Sequence, residues 1–149
     1  MIIGTKCQYA LRAVFEICRN GSSRVLTIAE ISRSQHIPQR YLEAILNQLQ
    51  KGGLLEAQRG RAGGYRLVRE PGKVTLGEVI RLIDGPIRMV SCFDQPGAND
   101  CPMSPDCVFL PTWTEVQKSM DRVLDTTTFA QLLEREREKS SRLATDFVI

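Results

Sequence analysis

A single histidine among 149 residues, one tryptophan and no long apolar run exclude whole classes of protein. With His36 alone no catalytic triad can be assembled, and the chain has neither a glycine–lysine phosphate loop nor a pair of carboxylates spaced for acid–base work. An enzyme is therefore not expected. No segment approaches the roughly 18 apolar residues of a membrane span, and MIIGTKCQYALRAVFEIC lacks the basic start and small-residue cleavage site of a secretory signal. The expectation is a cytoplasmic protein with no membrane partner. Five cysteines, an odd number, argue against a disulfide framework in such a reducing compartment.

What is present suffices for a core: 42% of residues are hydrophobic, at a length that suits one domain or a small domain with an appended dimerisation element. The net charge of +3 hides an asymmetry. Residues 1–70 hold eleven Lys/Arg against five Asp/Glu, and residues 71–149 hold nine against twelve. The basic half is where a polyanionic partner would bind.

Apolar residues at Ala10, Ala13, Val14 and Ile17, widened by Leu11, Phe15 and Cys18, predict a well-buried helix over Cys7 to Cys18. Thr27-Ile28-Ala29-Glu30 has the form of a capping box, in which hydroxyl and carboxylate satisfy free backbone NH groups, and opens a short helix to about Ser34. After SQHI, Pro38 starts a second helix with Tyr41, Leu42, Ile45, Leu46 and Leu49 on its buried side and Gln39, Arg40, Glu43, Asn47 and Lys51 opposite. Gly52-Gly53 ends it. Two short helices around a tight turn form a helix-turn-helix pattern. The hairpin that follows, LLEAQR and YRLV joined by GRAGG, carries Arg59, Arg61 and Arg66 and makes the unit a winged helix. Arginines there suit phosphates or a narrow minor groove.

A second capping box at Thr75–Glu78 opens a helix with Val79, Ile80 and Ile83 toward the core, ended by Gly85-Pro86. No period holds from Pro86 to Phe109. Phe109, Trp113, Val116, Met120 and Val123 then form a heptad-like seam, which suits a partner helix. The EREREK tail at 134–139 reads as a solvated charged helix. The expected fold is mainly α with a small β-hairpin wing: a winged helix-turn-helix over 1–85, a cysteine-rich loop over 86–108, and a long dimerisation helix with its tail over 109–149.

The stretch SCFDQPGANDCPMSPDC places Cys92, Cys101 and Cys107 with eight and five residues between them, among prolines, glycine and aspartates. Buried structural cysteines replace small hydrophobes on a helix or strand face, which these three cannot do collectively. Three thiolates can begin an iron–sulfur site. Structural zinc wants four Cys/His ligands in tighter pairs, and a metal-free thiol switch is the remaining alternative.

Helix one with QYALRAV, the stretch IPQRYLEAILNQLQKGGLL, the wing QRGRAGGYRL, the helix VTLGEVIRLIDGP and the three-cysteine loop resemble, in unbroken order over about residues 1–125, the Rrf2 family of bacterial winged-helix transcription factors. Its iron–sulfur members include the IscR, NsrR and RirA types. The resemblance implies a homodimer on a palindromic double-stranded operator, with a [2Fe-2S] or [4Fe-4S] cluster in the Cys92/Cys101/Cys107 loop setting DNA affinity. It implies DNA contacts from Gln39, Arg40, Tyr41 and Glu43, with Arg59 in the minor groove; Arg61 is a further wing candidate. Arg can pair with guanine, and Glu can accept from cytosine or exclude other bases.

Two positions depart from the family pattern. Leu110 stands where IscR-like chains have a histidine, and Gln8 where NsrR-like chains have an aspartate supplied by the partner chain. The fourth ligand is thus open among Gln8 or Cys7 of the partner chain, Asp94, Asp100, Asp106, solvent or a small thiol; Cys18 reads as core. An incomplete cysteine set exposes an iron to oxygen, nitric oxide or loss, which suits a sensor. Two other readings stay in view: a thiol-based DNA-binding regulator, and an electron-transfer or scaffold protein built on a winged helix.

Overall fold

Apolar residues at helical spacing dictate most of the architecture, and α1, Thr5–Arg19, is where they converge. The computed structural model describes residues 3–21, 24–61, 63–90 and 106–146, the last four as backbone. Cys7, Ala10, Ala13, Val14, Ile17 and Cys18 of α1 are buried. Around it come α2 (Ile28–Gln35), α3 (Gln39–Lys51), β1 (Leu55–Gln58), β2 (Gly64–Leu67), α4 (Leu76–Asp84), α5 (Leu110–Thr126) and α6 (Phe129–Asp146). The α1 helix packs against α2, α3, α4, α6 and β2, so one helix organises the whole core.

On α3 the buried side is Leu42, Ile45, Leu46 and Leu49, each contributing about 1.5–3 kcal/mol relative to exposure. Tyr41, expected on that side, is instead 47% exposed. It stands at the edge of the stripe, where its ring meets Tyr9 at 6.2 Å between centroids and the Arg40 guanidinium at 4.8 Å. An amphipathic ring gains contact there without burying its hydroxyl.

The strands β1 and β2 pair antiparallel, with Leu55 opposite Leu67 and Gln58 opposite Gly64. Leu26 adds a short third edge through reciprocal backbone bonds with Tyr65 of 2.9 and 2.8 Å. Gly64 allows that approach, since a Cβ there would lie 2.3 Å from the Leu26 carbonyl oxygen. Glu56 and Arg66 face each other across the hairpin and form an ion pair of 2.5 Å. Arg66 is therefore committed to the wing's own structure.

The capping box of α2 is complete: Glu30 N–H donates to Thr27 Oγ1 at 3.2 Å and Thr27 N–H to Glu30 Oε2 at 2.8 Å. Those bonds from Thr27 to the carboxylate hold Glu30 below the usual carboxyl range. At α4 only half of the expected box forms. Thr75 accepts from Glu78 N–H, but the Glu78 carboxylate is drawn to Arg69.

The heptad-like seam divides. Met120 packs on the core of its own chain, as does the neighbouring Leu124, while Phe109, Val123 and Val116 are 62%, 60% and 37% exposed. The start of α6 is more than a solvated tail. Thr128 and Gln131 cap it reciprocally, Phe129 N–H donates to the Val74 carbonyl at 3.0 Å, and Phe129 is fully buried with Leu132 and Leu133 against the same core. Glu136, within EREREK, reaches Arg19 at 3.1 Å. Phe129→Ala should therefore cost about 3–5 kcal/mol, measured by urea unfolding. A cost near zero would show that the core closes without α6.

Candidate nucleic-acid interface and cysteine centre

The turn between α2 and α3 is tied down from both sides. His36 caps α2 in the left-handed region, with φ 51°, which is uncommon for a residue with a Cβ. Ser32 stabilises the turn that follows: its carbonyl accepts from Ile37 N–H at 3.2 Å and its hydroxyl donates to Ile37 O at 2.7 Å. Ile37 is buried beneath. The end of α2 is held to α1 through Glu16, whose nearly buried carboxylate accepts from Gln35 Nε2 at 2.8 Å and from Arg19 and Asn20. Arg12 reaches the Gln35 carbonyl from the same side.

Fixed in this way, α3 presents Gln39, Arg40, Tyr41 and Glu43 to solvent. The first turn of α3 carries no acidic side chain, so its free NH groups and positive dipole end are open to a phosphate. Arg40 stacks on Tyr41 and bonds its hydroxyl at 3.2 Å, which pre-orders the pair. At the wing, Arg59 and Arg61 are exposed and neither has an ion-pair or hydrogen-bond partner among the described residues. Positive charge left unpaired among the described residues can serve a polyanion.

Of the proposed cluster ligands, Cys92 and Cys101 lie outside the described residues, as do Asp94 and Asp100. Cys107 is a free, half-buried thiol one turn before α5, its carbonyl accepting from Leu110 N–H at 3.2 Å. Among the described residues no three His, Cys, Asp or Glu side chains gather as a metal site. An accessible thiol at the helix entrance fits a cluster ligand.

Cys7 does not fit. It is fully buried in the core beside Asp84, and burial, then the Asp84 charge and hydrogen bond, push its pKa to about 11. Cys18 is likewise core, raised by burial to about 12. Gln8 is exposed, with its amide nitrogen donating to the Ile3 carbonyl at 3.0 Å. Leu110 is partly exposed and offers no donor atom, and Asp106 faces solvent.

Two functional-looking glutamines escaped the sequence reading. Gln117 on α5 is 8% exposed, and Gln48 on α3 bonds the end of α4. Gln117 has a visible signal, being the polar residue at helical spacing from Trp113, Met120 and Leu124 in an otherwise apolar row.

Comparison with known proteins resolves the family. The Rrf2 description, iron-dependent transcriptional regulator, matches residues 3–135. The chain belongs to the Rrf2 family. It is 36% identical over 138 residues to an rrf2-like helix-turn-helix transcriptional regulator of Rhodobacter capsulatus, covering 89% of this chain and 92% of that one. Among solved structures it resembles CymR of B. subtilis, titled the global cysteine regulator, with TM-score 0.74, 27% identity and coverage of 91% and 98%. It also resembles IscR of T. potens, with TM-score 0.74, 28% identity and coverage of 93% and 90%.

The mainly α winged fold with its two-stranded hairpin is that of these Rrf2 regulators. The family and its relatives support an Rrf2-family helix-turn-helix transcriptional regulator over an electron carrier or bare scaffold. No described helix is long and apolar enough to cross a membrane.

The thiols should separate chemically. In metal-free protein at about pH 8, iodoacetamide should label Cys107 and spare Cys7 and Cys18 until the chain unfolds, because the thiolate is the nucleophile. Mass spectrometry showing Cys7 or Cys18 labelled as fast as Cys107 would contradict their burial.

Proposed function

We propose that this Rrf2 protein is a cytoplasmic homodimeric regulator that binds a palindromic operator, and that an iron–sulfur cluster held by Cys92, Cys101 and Cys107 controls its affinity for DNA. The observation that carries the reading is a juxtaposition within one packed unit. The α3 helix exposes Gln39, Arg40, Tyr41 and Glu43, while Cys107, a free half-buried thiol, opens the helix α5 that packs on α4, itself packed on α3. A change at the thiols thus has a short physical route to the DNA-binding face.

In this reading Arg40 pairs with a base edge or phosphate, Gln39 and Glu43 select bases, and Tyr41 supports Arg40. Arg59 enters the minor groove, with Arg61 beside the backbone. The exposed Phe109, Val116 and Val123 on α5 form an apolar face that a second copy of the chain would cover. Two recognition helices related by a two-fold axis then meet half-sites about one helical turn apart. When bound, the cluster supplies iron- and redox-dependent charge at the entrance to α5. With Cys7 in the core, the fourth ligand falls to Gln8 of the partner chain, to a carboxylate, or to a small molecule.

A thiol-switch reading is supported by the free Cys107 and by the likeness to CymR. Anaerobic purification separates the two. The cluster reading expects brown protein whose visible absorbance vanishes in the Cys92→Ser/Cys101→Ser/Cys107→Ser variant while the far-ultraviolet circular dichroism is kept. Full absorbance in that variant would remove the ligand assignment, and a colourless native protein whose DNA binding follows oxidant would favour the thiol switch.

Arg59→Ala should weaken operator binding by about 1–3 kcal/mol, read by fluorescence anisotropy across a salt series. Unchanged affinity and salt slope would take Arg59 out of the interface.

A further inference from the structure

Gln117 is the one buried polar side chain of α5, and every polar atom of its amide is used. Its Oε1 accepts from Met89 N–H at 3.0 Å, and its Nε2 donates to the Ile87 carbonyl at 2.9 Å and to Asp121 Oδ2 at 3.1 Å. The first two bonds form a two-point clamp on the backbone just before the cysteine-bearing segment, since Cys92 follows Met89 by three positions. The third passes to a charge. Asp121 also receives Arg81 of α4 at 3.2 Å, and Arg81 grips Asp125 of α5 at 2.5 and 3.1 Å. The fit is close: a Cβ on Gly77 of α4 would lie 2.3 Å from Asp125 Oδ1 and 2.7 Å from the Arg81 guanidinium.

The far end of α4 is held in the same manner by the recognition helix. Gln48 of α3 donates to the Leu82 and Ile83 carbonyls at 2.7 and 3.2 Å, and its own carbonyl accepts from Lys6 of α1 at 2.6 Å. A Cβ on Gly52, where α3 ends, would lie 2.6 Å from a Leu82 methyl. Hydrogen bonds and helix segments therefore run without a break from residues 87–89 through Gln117, Asp121, Arg81 and α4 to Gln48 on α3.

Buried amides of this sort are costly to leave half-satisfied, so a displacement at one end favours a matching adjustment along the chain of bonds over a broken one. We infer that Gln117 is a positioning residue that couples the backbone at the entrance to the cysteine segment to the recognition helix, with Gln48 as its counterpart at the α3 end. The inference rests on the reading of those cysteines as the sensing element. The coupling itself can be measured whether or not a cluster is bound, because coupling between two sites is reciprocal.

The test uses the full chain, prepared anaerobically. Hydrogen exchange at the Met89 amide is followed with and without a saturating DNA duplex of about 30 base pairs, selected by the protein from a random pool and long enough for two half-sites. Low salt keeps the complex formed. In the native protein, DNA should slow exchange at Met89 at least roughly fivefold, the lower end of ordinary coupling. In Gln117→Leu the DNA-dependent change should be lost, and in Lys118→Ala, altered on the exposed side of the same helix, it should be kept.

Gln48→Met, cut at the other end, should behave as Gln117→Leu and serves if that variant does not fold. No DNA-dependent change at Met89 in the native protein, or the same change in both glutamine variants, would overturn the inference. The colour of the same samples reports separately on the cluster: a colourless native protein would count against the proposed function and leave the exchange result standing.

Discussion

Burial of α1 is the constraint on which the rest of the molecule depends. Its apolar residues fill so much of the circumference that α2, α3, α4, α6 and β2 all pack on it, and each of these placements then decides something functional. The stripe Leu42, Ile45, Leu46 and Leu49 can be buried against α1 only if Gln39, Arg40 and Glu43 point away. The exposed face of the recognition helix is thus a geometric consequence of core formation. Because the core is close-packed, its helices can shift only as units, which is how a local change acquires reach.

The polar interactions of the structure sit at the joints between those units. Glu16 and Arg12 join α1 to the turn of the helix-turn-helix, Gln48 joins α3 to α4, and Arg81 with Gln117 joins α4 to α5. None of the described buried side-chain polar atoms lacks a hydrogen-bond partner. Apolar packing supplies the stability, and directional bonds choose one arrangement of the helices. In the proposed function the output is the placement of α3, so such a regulator needs the second property as much as the first.

Much of this was legible from residue spacing. The Thr27–Glu30 box, the stripes of α1, α3 and α4, and the hairpin between Gln58 and Gly64 follow local rules that tertiary packing did not override. The misreadings have a common origin in competition between partners. Tyr41 has the spacing of a core residue but lies at the stripe edge, where Tyr9 and Arg40 offer its ring contact and its hydroxyl accepts from Arg40. Glu78 has the position to complete a cap, but its carboxylate is drawn to Arg69, nine positions earlier and outside the helix. Phe129 carries a signal of another kind, since Thr128-Phe129-Ala130-Gln131 is itself a helix start ahead of the charged EREREK run. Of the cysteine triad only Cys107 is among the described residues, so the convergence of the three remains part of the proposal.

In the proposed function, cluster state controls DNA affinity. This control is tested most directly by one anaerobic preparation titrated onto one selected operator duplex before and after chelation of its iron, at matched salt, with dissociation constants compared. Control by the cluster should appear as a change of roughly 5–150-fold, the usual range for coupled sites. Equal dissociation constants for the cluster-loaded and cluster-free protein would contradict it.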